Sequence, residues 1–258
     1  MQYFIKLKDW ITNKKNTKDD IMNKQIAIFS DIHGNYQALN AILKDIKKRK
    51  IDNVYCLGDT IGIGPNPKEC LDLIINNNIK MVLGNHELYY LNGTSIDNFM
   101  DESEKEHHRW IKKQLGGKHK EFLNNCELKI TKQIGNYTIS FQHFLFNNTD
   151  NQYPFEDINI INDNMINLPD SDITFIGHYH KPFELNTNKK RLIDVGSSGC
   201  TKDENTFYAI LLIKDNKLTI ERIDLTYNRK EFEQNFNNIS YPDKETLGKI
   251  FFGIIKNN

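Results

Sequence analysis

Seven side chains able to ligate a metal stand directly behind short apolar runs. Asp31 and His33 follow Ile26-Ala27-Ile28-Phe29, Asp59 follows Val54-Tyr55-Cys56-Leu57, and Asn85 follows Met81-Val82-Leu83. His143 follows Ile139-Ser140-Phe141, while His178 and His180 follow Ile173-Thr174-Phe175-Ile176. The pairs Asp31/His33 and His178/His180, two positions apart, share a face in extended backbone, and a short turn does the same. Seven mixed oxygen and nitrogen donors exceed the three or four of a single zinc site. They fit a two-metal centre, in which ions about 3.5–4 Å apart share a carboxylate and a hydroxide. Asp59 is the carboxylate able to bridge. No cysteine belongs to this set, which favours two divalent ions of the harder kind, Mn2+ or Fe2+; Zn2+, Co2+ and Ni2+ are also compatible.

Taken singly, each of these residues reads as a cap or a satisfied polar group. The joint pattern reverses that reading, because five of the eight histidines (His33, His86, His143, His178 and His180) fall in such positions. The apolar runs are rich in β-branched residues and bounded by glycine, as buried strands are. Between them, Asn35 to Lys50 carries Leu39, Ile42, Leu43 and Ile46 at helical spacing, with a lysine-rich end suited to a helix C-terminus. Pro67 can open a second helix over Lys68 to Asn77. The resulting β-α-β-α-β order predicts a layered α/β domain, whose strands deliver their donors to one carboxyl-end edge.

The alternation breaks between about Leu88 and Lys132. Asp101 to Leu115 and Lys118 to Asn125 read as polar amphipathic helices, with Trp110, Ile111 and Leu115 turned inward. This stretch is expected to be a helical insert covering one side of the site. Strand patterns resume from Leu128, with a turn at Asn147 to Gln152 and strands at Tyr137 to Phe141, Ile173 to Ile176, Pro182 to Leu185 and Arg191 to Val195. A hairpin of Thr206 to Ile213 and Leu218 to Ile223 turns at Asp215-Asn216. Helices near Arg229 to Phe236 and Lys244 to Ile255 follow, and no linker or repeat divides the chain. One domain over residues 22–258 is expected. Residues 1–21 are Lys-rich and read as an N-terminal extension: a helix docked on the body, sequence upstream of a true start at Met22, or a helix for a membrane surface or partner.

Composition narrows the classes. Lys+Arg and Asp+Glu both total 34 in 258 residues, so there is no strong nucleic-acid signal. No apolar run approaches the roughly 20 residues of a membrane span. Four scattered cysteines without a CxxC pair read as reduced thiols of a cytoplasmic protein. Nothing in the sequence excludes a homo-oligomer. His107, His108 and His119, in the polar insert, are expected at the surface. Glu87 is expected as a first-turn helix residue. Tyr89, Tyr90 and Tyr179 read as core or rim aromatics, or as platforms for a base. Gly62, Gly64 and Gly199 read equally as turn residues needing positive φ and as site residues.

The ordered set Asp-x-His, Gly-Asp, Gly-Asn-His-Glu, a lone His behind a strand and Gly-His-x-His resembles the calcineurin-like metallophosphoesterases, from about Ile26 to Asp194. The resemblance implies an α/β sandwich of two mixed β-sheets flanked by helices. It also implies that Asp31, His33, Asp59 and His180 hold one metal and that Asp59, Asn85, His143 and His178 hold the other. By the same resemblance His86 lies near the leaving group, as proton donor or charge stabiliser, and Asp31 pairs with it. Protein Ser/Thr phosphatases and symmetrical diadenosine tetraphosphate hydrolases carry Gly-Asp-x-x-Asp-Arg-Gly. Gly58-Asp59-Thr60-Ile61-Gly62-Ile63-Gly64 lacks that second Asp and the Arg, and instead looks like the small bacterial and archaeal phosphodiesterase-like branch. Gly196-Ser197-Ser198-Gly199 matches a Gly-Ser-x-Gly element common there, and Lys202 stands where an Arg is often found. Ser197 and Lys202 are therefore candidate substrate contacts. His143 follows Gln142, where many relatives have Gly.

The expected reaction is hydrolysis of a small phosphodiester or nucleotide-type phosphate ester by a metal-bridging hydroxide, with in-line attack and no covalent intermediate. The alternatives are a phosphomonoesterase or protein phosphatase on the same site, and a non-catalytic scaffold such as the retromer subunit that resembles this family. A repair nuclease of the same superfamily finds no support, for want of a capping domain, basic excess or coiled-coil segment.

Overall fold

The computed structural model describes residues 23–96, 100–145, 170–186, 190–215 and 217–255. The expected N-terminal extension and the turn at Asn147 to Gln152 lie outside these residues. Strand β1 (Asn23–Phe29) is apolar at every position from Ile26 to Phe29 because both of its faces are buried. Ile26 and Ile28 face one core with Tyr55 and Leu57, while Ala27 and Phe29 face another with Cys56 and Met81. Neighbouring β2 (Asn53–Cys56) and β3 (Lys80–Met81) continue the sheet in parallel.

Helices α1 (Tyr36–Arg49) and α2 (Pro67–Asn76) make the connections of this βαβαβ unit and bury Leu39, Ile42, Leu71 and Ile74 on it. Asn35 starts α1 by accepting the Ala38 N–H at 3.0 Å, and Pro67 opens α2 as expected. Helices α3 (Asn85–Asn92), α4 (Glu102–Gln114) and α5 (Gly117–Asn124) then intervene before the chain returns to strands. Between α3 and α4 lies a 3₁₀ turn, Thr94–Ile96.

The second sheet holds β4 (Lys129–Ile134), β5 (Tyr137–Gln142), β6 (Ile173–Ile176), β7 (Phe183–Asn186) and β8 (Arg191–Asp194), in the order β4-β5-β6-β8-β7. The hairpin β9 (Asn205–Lys214) and β10 (Lys217–Thr226) returns to the first sheet, giving β10-β9-β1-β2-β3. Each sheet mixes parallel and antiparallel neighbours. Ile28, Leu57 and Leu211 of one sheet meet Ile139, Phe141 and Phe175 of the other, so the two pack face to face. The expected sandwich of two mixed sheets is the fold.

Two last helices, α6 (Arg229–Asn238) and α7 (Lys244–Phe252), bury Phe232, Phe236 and Phe252 together with Tyr241. They cover α1 and the loop carrying Ile63. No helix among the described residues is long and apolar enough to cross a membrane.

The surface assignment of the three insert histidines is overturned: His107, His108 and His119 are all buried. His119 accepts the Gly116 N–H through Nδ1 and meets Asp72 of α2 through Nε2 at 3.0 Å, so it fastens α5 to α2. Trp110 and Tyr241 stack on each other at 4.9 Å and the His107 ring packs against both, which ties α4 to the segment before α7. Tyr89 and Tyr90 are likewise buried, whereas Tyr179 is only partly so.

Candidate metal centre

All seven donors meet where the carboxyl ends of β1, β2, β3, β5 and β6 come together. Five of them sit on backbone that L-residues seldom adopt: Asp31 (φ 53°), His33 (46°), Asp59 (50°), His178 (77°) and His180 (61°). Each such residue costs on the order of 1–3 kcal/mol and persists only where its surroundings over-determine it. Cross-strand hydrogen bonds supply that constraint. Asp31 N donates to Gly58 O, His33 N to Asp59 O, Gly177 N to His143 O and Gly199 N to Asp31 O, all at 2.9–3.1 Å. Strain concentrated on these turns marks a built site.

The donors divide into two lobes that meet at one oxygen. In the first, His33 Nε2 is 3.0 Å from His180 Nε2 and 3.6 Å from Asp31 Oδ1, and His180 Nε2 is 3.4 Å from the same oxygen. In the second, Asn85 Oδ1 lies 3.2 Å from His143 Nε2 and 3.1 Å from His178 Nδ1. Asp59 Oδ2 stands between them, 3.7 Å from His33 Nε2 and 3.2 Å from His143 Nε2. Ligands about 2.1 Å from a shared ion are themselves roughly 3.0–3.4 Å apart, so these spacings fit two cations.

The outer contacts orient this set. His143 Nδ1 donates to Leu57 O at 2.7 Å, which leaves Nε2 facing the centre. Asp59 Oδ1 accepts the His86 N–H at 3.0 Å and so frees Oδ2. Asp31 accepts the His178 N–H. Gly84 passes so close to Asp59 that a Cβ there would lie 2.2 Å from Oδ1, so no other residue fits. Gly62 does have positive φ, but Gly64 and Gly199 do not; their lack of a side chain admits the backbones of His33 and Ile32.

Charge is drawn to the same place. Burial pushes the Asp31 carboxyl up, yet hydrogen bonds from His180 and His33 hold it well below the usual range. Burial likewise opposes the ionised Asp59, and His143 and His86 overcome it. Burial depresses His143 and His180, but Asp59 raises the first to about 9 and Asp31 the second to about 11. His178 instead falls to about 4 through burial and the neighbouring His143. Two buried carboxylates thus recruit positive charge at the two positions where the donor atoms converge, a chemistry that divalent cations satisfy.

His86 borders the centre. Its ring lies edge-on to His33, with centroids 4.9 Å apart, and 5.0 Å from His108. The expected pairing with Asp31 is replaced by these rings and Tyr89, while Asp31 is taken up by His33, His180 and the His178 N–H. Burial, together with His33 and His108, outweighs Asp59 and holds His86 well below the ordinary imidazole range. The neutral form of its ring is therefore favoured.

Ser197, a candidate substrate contact, donates its hydroxyl to Asp31 O at 2.8 Å and accepts the Cys200 N–H at 2.9 Å. Its visible work is to fasten the loop to the Asp31 turn. Lys202 is exposed, its stem against Gly253 beyond α7. Sequence reasoning missed Cys200. Its sulfur and one nitrogen each of His33 and His180 lie within 4.8 Å of one another. The available signal was its place immediately after Gly196-Ser197-Ser198-Gly199. Glu87 is a first-turn helix residue as expected, but its carboxylate has a larger part, accepting four backbone N–H groups.

A two-sheet sandwich whose strand ends gather Asp, Asn and His donors around a shared carboxylate defines the metallophosphoesterase class. Residues 25–216 match the model of the calcineurin-like phosphoesterase superfamily domain, and the chain belongs to that superfamily. It is similar to an uncharacterised protein of Methanocaldococcus jannaschii, at 34% identity over 236 residues, covering 84% of this chain and 94% of that one. A metallophosphoesterase from Sphaerobacter thermophilus has the same fold at a TM-score of 0.65 and 24% identity, over 87% of this chain and 96% of the other. A stretch of 64 residues is 39% identical to the symmetrical bis(5'-nucleosyl)-tetraphosphatase of Baumannia cicadellinicola, covering 24% of this chain and 22% of that enzyme.

Proposed function

We propose that the protein is a dinuclear-metal-dependent phosphoesterase that hydrolyses a small phosphodiester or nucleotide-type phosphate ester. The observation that carries this is Asp59 Oδ2, within 3.7 Å of a donor from each lobe. Membership of the superfamily supports hydrolysis of phosphoric esters. The 64-residue likeness to a bis(5'-nucleosyl)-tetraphosphatase favours a nucleotide-type ester, although the missing Asp-Arg of that class speaks against the same reaction.

Asp31, His33, Asp59 and His180 would hold one ion, and Asp59, Asn85, His143 and His178 the other. When bound, such a pair lowers the pKa of water to supply hydroxide near neutral pH and polarises the phosphoryl oxygens. The chain does the rest. His33, His143 and Asp59 are almost wholly buried, so the floor of the site is fixed, whereas His86, His178 and His180 are partly exposed and form its mouth. His86 offers its neutral N–H to the oxygen on which charge develops. A donor of this kind contributes about 10²–10³-fold.

The test is hydrolysis of bis-p-nitrophenyl phosphate and p-nitrophenyl phosphate by metal-free protein reloaded with Mn2+, with Asp59→Asn and His86→Ala in parallel. Diester cleavage that requires Mn2+, disappears in Asp59→Asn and drops at least about a hundredfold in His86→Ala with metal content intact supports the proposal. Cleavage of the monoester alone would replace it with a phosphatase. Metal uptake without either reaction would leave a binding scaffold.

A further inference from the structure

The ligand set read from the sequence holds no sulfur, but the fold brings one to it. The loop from Gly196 to Cys200 is fixed at both ends of the first lobe. Ser197 N donates to His180 O, Ser198 N to Ser30 O and Gly199 N to Asp31 O. Asn35 donates its side-chain N–H to Gly199 O at 2.8 Å. Gly199 lies so tightly on Ile32 that a Cβ would sit 1.9 Å from its carbonyl oxygen. Cys200 follows with its N–H on Ser197 Oγ, so its position relative to Asp31, His33 and His180 is set by backbone. Those bonds place its sulfur within 4.8 Å of the His33 and His180 donors.

We infer that Cys200 is a thiolate ligand of the metal held by Asp31, His33 and His180, and that this one ion position prefers a softer metal than its neighbour. The inference rests on the two-metal reading above. Sulfur donors select Zn2+, Co2+ and Fe2+ over Mn2+ and Mg2+, while the second lobe, with Asn85 and two imidazoles, has no such bias. Coordination needs the thiolate, so the thiol proton leaves to solvent as the metal binds. The other three cysteines are free thiols, and none of them belongs to a set of converging metal donors among the described residues.

Cobalt absorption is the test, because a Co2+–thiolate bond adds a near-ultraviolet charge-transfer band that nitrogen and oxygen ligands do not. Metal-free protein is titrated with Co2+ while bound metal is counted. The expected result is the band in the native protein and in Cys126→Ser, and its loss in Cys200→Ser, which still binds two ions. In the same variant Zn2+ affinity should fall about tenfold and Mn2+ affinity by less than threefold, the scale on which metal-site residues act. Cadmium NMR of the native protein reads sulfur ligation without any substitution. Two bound cobalt ions with no band, or a band that survives Cys200→Ser, would overturn the inference and leave the dinuclear site standing. Failure to bind cobalt at all would overturn both.

Discussion

The Glu87 carboxylate takes the N–H groups of Asp59 at 2.8 Å, Thr60 at 2.9 Å and Ile61 at 3.2 Å, although 28 positions separate Glu87 from Asp59. It also accepts the Gly84 N–H at 2.9 Å, so one side chain starts α3 and holds the loop behind β2. Asp59 sits at φ 50°, and these bonds add to the His33 N–H on its carbonyl in holding it there. Glu87, the residue after His86, thus positions the Asp59 carboxylate.

Glu87→Ala should therefore orphan four buried N–H groups and release Asp59. At about 1–3 kcal/mol for each uncompensated group, partly relieved by water, the loss of stability should reach at least ~2 kcal/mol. Metal affinity should drop about 10–100-fold, as it does when outer contacts to a ligand are removed. Urea unfolding and calorimetric titration with Mn2+ measure the two effects. A variant with native metal affinity would show that Asp59 is held by the strand alone.

The insert makes a second prediction, this one on pH. His107 is pushed down to about 3 by burial, with a smaller push from His108. An unfolded histidine titrates near 6.5, so as pH falls the unfolded chain takes up this proton first and the folded state loses stability. Between pH 7 and pH 5 the loss from this one group is about 2 kcal/mol. His107→Phe keeps a ring against Trp110 and Tyr241 and cannot take the proton. Urea unfolding at the two pH values should show the native protein losing about 2 kcal/mol more than the variant; equal losses would refute the assignment.

How much of this was visible in the chain depends on what each residue answers to. The seven donors were legible because each follows a strand, and strand ends of a parallel unit converge wherever the helices pack. The left-handed turns were not. Nothing about Asp31 or His178 as residue types announces positive φ, which the cross-strand bonds impose. The Glu-Lys-Glu-His-His-Arg run of α4 reads as a solvated face because its partners, Tyr241 and the His86 ring, lie far away in sequence. Cys200 was missed for the same reason: its role depends on where Gly199 presses against Ile32. Ordered motifs report a site, whereas long-range packing decides who else attends it.

That packing also shapes what the site can accept. A cavity of about 100 Å3 lies beside His86, walled by Ile63, His107, His108, Leu247 and Phe251, with Glu104 and Asp243 also on its wall. Phe251, on α7, is also 5.8 Å from the His180 ring, edge to face, so the same side chain borders the cavity and the first lobe. Under the proposed function, an ester whose phosphorus lay between the lobes, with His86 near an ester oxygen, would project one substituent into this space. Aromatic packing there is worth about 0.5–1.5 kcal/mol, up to roughly tenfold in binding. Phe251→Ala should therefore raise KM for bis-p-nitrophenyl phosphate about twofold to tenfold, change kcat by less than about threefold, and leave methyl p-nitrophenyl phosphate affected less. A uniform fall in kcat for both esters would mean instead that Phe251 holds His180 in place, because only a displaced ligand would slow every substrate alike.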